Sequence, residues 1–116
     1  MTQASDAGLP DPEVLQGAAL DMVGLAPEGW DDLLMIVWYE APDVYTTLMW
    51  VDGPGFERRR VMPPHSDRDL NEMRNRQIAA GQEAWLRCDL HVTREAGSDS
   101  PEFSADFAYE VGDVPS

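Results

Sequence analysis

At 116 residues the chain has apolar surface for one hydrophobic core and not for two. Its longest apolar run, residues 33–39, is strand-sized and falls well short of the ~20 residues of a membrane helix. Twenty-two acidic residues against eight arginines and no lysine leave a net charge of −14, which excludes direct attraction to nucleic acid or anionic lipid.

Residues 1–10 read as a flexible tail, residues 11–112 as a single domain and residues 113–116 as a second short tail. The opening residues have neither a basic start nor an apolar stretch, so no secretion signal is expected. The only cysteine, Cys88, cannot form an internal disulfide, which fits a reducing, cytoplasmic setting. Asp11 then suits a helix N-cap, Pro12 the first helical position and Glu13 the positive end of the helix dipole. Val14, Leu15, Ala18, Ala19, Met22 and Val23 recur at helical spacing, and Gly24 is a plausible stop.

A turn over residues 26–30 leads into a strand over 33–39. Pro42-Asp43 breaks the pattern before a β-branched and aromatic stretch over 44–51. Asp52-Gly53-Pro54-Gly55 predicts another turn and residues 56–62 a third, short strand. After Pro63-Pro64, Ser66 is placed to cap a second helix with Leu70, Met73, Gln77 and Ile78 inward and Gly81 closing it. Residues 85–93 alternate, with Leu86, Cys88, Leu90 and Val92 on one side and Trp85, Arg87, Asp89 and His91 on the other. In the last strand Phe103, Ala105, Phe107 and Tyr109 oppose Ser104, Asp106, Ala108 and Glu110. The expected fold is α+β in the order α-β-β-β-α-β-β, an antiparallel sheet of about five strands with the helices packed on one face.

Catalytic signatures are not apparent. Gly53 and Gly55 flank a proline in a hairpin turn and make no phosphate loop. His65 and His91 have no cysteine pair or second histidine at ligand spacing, so neither a metal nor a cofactor is expected. Cys88 falls on the apolar side of its strand and reads as core, not nucleophile. The triple Arg58-Arg59-Arg60 would alternate across a strand, and its expected role is to pair with the surplus carboxylates. A non-catalytic, partner-binding protein is therefore expected.

The charge is segregated. Residues 1–32 hold seven acids and no base, residues 95–116 six acids and no base, and every arginine lies between Arg58 and Arg94. If the two ends meet in space, they create a directed field suited to a basic protein. Four tryptophans add candidate anchors, and Trp85, in phase with Arg87 and Asp89, would share an exposed face with charge.

The landmarks Pro27-x-x-Trp30, Gly81-x-x-x-Trp85 and Phe103-x-x-x-Phe107-x-Tyr109-Glu110, in this order among the predicted elements, resemble the YezG-like immunity protein family over residues 12–111. The resemblance implies an antitoxin made in the cytosol that binds the toxin domain of a cognate bacterial effector, often a nuclease, without cofactor or turnover. The alternative is an acidic secretion chaperone for an effector protein. Expected exposure selects Asp31, Asp32, Glu40, Asp43, Asp106 and Glu110 as partner contacts, with Tyr45 and Trp85 as anchors.

Overall fold

The computed structural model describes residues 12–41, 44–54, 56–94 and 100–112. Both predicted tails, the Asp11 cap, Pro42-Asp43, Gly55 and most of the 95–101 loop lie outside them. The element order is α1 (Pro12–Leu25), β1 (Asp32–Ala41), β2 (Val44–Gly53), β3 (Phe56–Val61), α2 (Asp67–Ala79), β4 (Arg87–Thr93) and β5 (Glu102–Ala108). The five strands form one antiparallel sheet, as the alternation and short turns predict, and their order across it is β3-β2-β1-β4-β5.

β1 is the hub. Its run of apolar residues serves two faces at once, as expected of a central strand. Leu33, Met35, Val37 and Tyr39 point into the main core, where they meet Met49 and Val51 of β2 and Cys88, Leu90 and Val92 of β4. Leu15, Ala18, Ala19 and Met22 of α1 and Leu70 and Met73 of α2 cover that same face. Burying a side chain such as Leu33 or Met35 completely contributes about 1.5–3 kcal/mol. The second residue set of β1, Leu34, Ile36 and Trp38, faces away from both helices.

The helices depart from expectation in three places. α1 runs through Gly24 and ends one residue later, because a single glycine near a helix end does not outweigh the packed stripe above it. Ser66 makes no capping bond; its hydroxyl instead donates to Asp21, tying the start of α2 to α1. In α2 the inward residue is Arg74, 5% exposed, whereas Ile78 is 42% exposed. Gly81 closes α2 as predicted: its φ of 87° turns the chain so that the Gln82 N–H reaches Gln77 O at 3.0 Å, while its own N–H donates to Ile78 O at 3.0 Å.

Candidate functional site

Two features stand apart from the core: an acidic edge and an uncovered sheet face. The acidic edge arises because α1 packs against β4 and β5. α1 carries Glu13 and Asp21, and the edge strand β5 and the residues after it carry the exposed carboxylates Glu102, Asp106 and Glu110. Arg58, Arg59 and Arg60 sit on β3, at the opposite edge of the sheet. Four strand spacings of about 4.8 Å separate the two edges by roughly 19 Å. The β3 arginines and the β5 carboxylates thus occupy opposite edges of the sheet.

The uncovered face is the side of the sheet opposite α1 and α2, on which no helix packs among the described residues. Ile36 and Trp50 are buried yet do not belong to the main core cluster, and with Leu34, Trp38 and Leu48 they make an apolar centre on β1 and β2. Charged groups flank it on both sides. On β4, Arg87 grips Asp89 through Nε (2.6 Å) and Nη2 (2.9 Å) and donates from Nη1 to Val111 O (2.9 Å). His91 Nε2 meets Asp32 Oδ1 at 2.7 Å. On the other side, Arg58 lies over the Trp50 ring, 5.3 Å from its centroid. Asp32, Leu34, Trp50, Asp52, Arg58 and His91 line a shallow depression of about 230 Å³ between these groups. A carboxylate-oriented imidazole beside an arginine is part of an acid–base site, but no hydroxyl or thiol lines the depression to serve as nucleophile. Among the described residues no group of three or more His, Cys, Asp or Glu side chains is arranged to hold a metal ion.

The predicted contacts divide between the faces. Asp32, Glu40 and Asp106 share the uncovered face by strand alternation, with Glu40 at the far end of β1 from Asp32. Asp31, Glu40, Asp106 and Glu110 are exposed and Asp32 is half-buried. Asp43 lies outside the described residues.

Neither aromatic anchor lies on the uncovered face, and Trp85 is not exposed. Trp85 is 2% exposed, and its indole N–H donates to Gln77 Oε1 at 2.9 Å. It precedes β4 and turns inward, so the alternation of Arg87 and Asp89 does not extend back to it. Tyr45 is half-buried on the helix-covered face against Tyr39, their ring centroids 5.6 Å apart. Burial, then the nearby Asp67 carboxylate, raises its hydroxyl above the ordinary tyrosine range. The ring that does share a face with acids is Trp38, half-buried two residues after Ile36. Its phase with Leu34 and Ile36 was the signal for it.

Among the described residues Arg58, Arg74 and Arg94 each lie over an aromatic ring. Arg94 straps the Trp30 turn, with its guanidinium carbon 4.4 Å from the ring centroid and Nε 2.7 Å from Trp30 O. Arg74 lies 3.7 Å from the Tyr39 ring centroid and 5.8 Å from that of Trp85, and its Nε donates to Trp85 O at 2.7 Å. A buried cation is costly unless it is satisfied, and here two rings and a carbonyl satisfy it. Cys88 is equally internal: burial first, then the charges of Asp89 and Asp106, pushes its thiol from 9.0 up to about 12. A thiol in that state is inert, in keeping with a core role.

No family model matches the chain and no curated protein matches its sequence.

Proposed function

We propose that the chain is an immunity protein, made in the cytoplasm, that binds and neutralises the toxin domain of a cognate bacterial effector. The observation that carries this reading is the acidic β5 edge, with Glu102, Asp106 and Glu110 exposed beside α1 and the arginines of β3 at the opposite edge of the sheet. A nuclease must present a basic surface to phosphates. A directed negative field both orients such a partner and speeds its capture. The order of landmarks over residues 12–111, similar to that of YezG-like immunity proteins, gives the same direction independently. Among the described residues no helix is long and apolar enough to cross a membrane, which is compatible with this role.

The test is co-expression with the toxin domain encoded beside this chain's own gene. The wild type should relieve lethality, and the triple reversal Glu102→Lys, Asp106→Lys, Glu110→Lys should weaken binding at least about 10-fold. Its thermal midpoint should change little, because all three side chains are exposed. Full protection by the triple variant would remove this surface from the mechanism. Binding to an unfolded segment outside the toxin domain would identify a secretion chaperone instead.

A further inference from the structure

We infer that the groove between the end of α1 and the start of α2 docks a basic amphipathic helix of a protein partner, whether or not that partner is a toxin. Folding leaves two leucines of α1 unused. The inward stripe of this helix is Leu15, Ala18, Ala19 and Met22, so Leu20 and Leu25 turn away from the core and stay 58% and 52% exposed. Both stand with Gly24 on one wall of a groove of about 540 Å³, and Pro64, buried just ahead of α2, also lines it. The groove is open at Gly24, where a Cβ would meet nothing within 4 Å. Its volume is within the range of roughly 300–1,000 Å³ in which ligand sites fall.

The charges around the groove select the occupant. Asp21 of α1 and Asp69 of α2 line it, and no arginine does; the one other titratable group there is His65. The Ser66 hydroxyl donates to Asp21 across the groove and fixes that carboxylate in place. Asp69 is exposed and makes no ion pair among the described residues. Arg68, its neighbour in sequence, stands about 100° further round α2, on the side of Tyr45. Apolar walls set between two carboxylates complement a helix whose leucine-like side chains recur at i and i+3 or i+4, with lysine or arginine flanking them.

Other occupants fit less well. An anionic lipid surface is repelled by the same carboxylates. Residues 1–11 of this chain bring Asp6 and Asp11 and no base. A second copy brings a further net charge of −14, and its arginine cluster lies on the strand β3, not beside an apolar helical stripe. A basic helix alone satisfies the leucines and the carboxylates together.

The test is fluorescence anisotropy of the full chain at physiological salt, with a labelled peptide of about 14 residues that has leucine at helical spacing and lysine elsewhere. Wild type should bind it at least about 10-fold more tightly than the same peptide with alanine for leucine, which keeps charge and helicity. Gly24→Met puts a side chain into the open groove and should weaken binding at least about 10-fold, with a thermal midpoint at or above that of wild type. Leu20→Gln/Leu25→Gln, which changes only exposed side chains, should weaken it as much at little cost in stability. Asp69→Lys should weaken it at least about 5-fold. The triple variant Glu102→Lys, Asp106→Lys, Glu110→Lys alters more charge, but outside the groove, and should weaken it less than Asp69→Lys does; attraction to net charge alone would give the reverse order. No binding by wild type, full binding by Gly24→Met and by the leucine variant, or that reverse order would overturn the inference. So would self-association of wild type that Gly24→Met abolishes, which would assign the groove to a second copy. Failure to protect against a toxin would leave every one of these outcomes unchanged.

Discussion

Raising the pH from about 7 to about 10 should cost the wild-type chain more stability than it costs a Cys88→Ala variant. Cys88 has no exposed surface; on β4 it is paired with Val37 of β1 and Phe107 of β5. Its thiol is pushed from 9.0 to about 12, chiefly by burial, so the folded chain keeps a proton that the unfolded chain releases. Because the folded value is the higher one, this contribution is complete below the unfolded value of 9.0 and is lost as pH climbs toward about 12. Over the whole window the loss approaches roughly 4 kcal/mol, at about 1.4 kcal/mol per pH unit. At about pH 10, one unit above the unfolded value, it amounts to about 1.4 kcal/mol. With a urea slope near 1.5 kcal/mol/M, the wild-type midpoint should fall by about 1 M more than that of the variant. Tyr39 and Tyr45, both raised mainly by burial, also favour the folded state less at high pH, but they act equally in the two proteins and cancel. Equal midpoint shifts in wild type and variant would refute the argument that the thiol is sealed in the core.

Three further outcomes are expected from the geometry. Arg74→Lys should destabilise the fold by about 2–3 kcal/mol in urea, because an ammonium neither lies flat on Tyr39 nor repeats the Nε bond to Trp85 O; stability equal to wild type would count against the stacking argument. Gly17→Ala and Gly24→Ala should each stabilise α1 by about 0.5–1 kcal/mol, since a Cβ at either position meets nothing within 4 Å; a lowered thermal midpoint would contradict that. Gly81→Ala should go the other way, by about 1 kcal/mol, because its φ of 87° is strained for alanine; an unchanged midpoint would show that the α2 terminus relaxes freely.

Much of the fold is legible in the sequence because it depends on local period and punctuation. Residues 12–23 repeat at helical spacing, residues 86–92 alternate, and Pro63-Pro64 separates sheet from helix. Strand order is a different matter. It depends on β4 pairing with β1 across the α2 segment, and nothing local announces that contact. The run over residues 33–39 did carry the clue, since a strand apolar on both sides belongs in the middle of a sheet. Arg74 was missed because a charged residue at an inward helical position reads as an error until its rings are known. Trp85 was misplaced because alternation was extended two residues beyond the start of the strand. The acidic edge was half legible: composition shows two acid-only ends, but only the sheet order puts β5 at the edge opposite the β3 arginines.

The central place of β1 also bears on how the chain folds. β1, β2 and β3 follow one another through short connections and can assemble early, before the rest of the chain takes part. The seam that joins Trp38 to Arg87 and Asp32 to Thr93 closes a far longer loop, with all of α2 inside it, so it carries a larger entropic cost and should form last. Until then one side of the most apolar strand in the protein stays unpaired. A nascent chain that stalls before residue 87 would therefore offer a bare, sticky edge, and this interval is where misassociation during synthesis should concentrate.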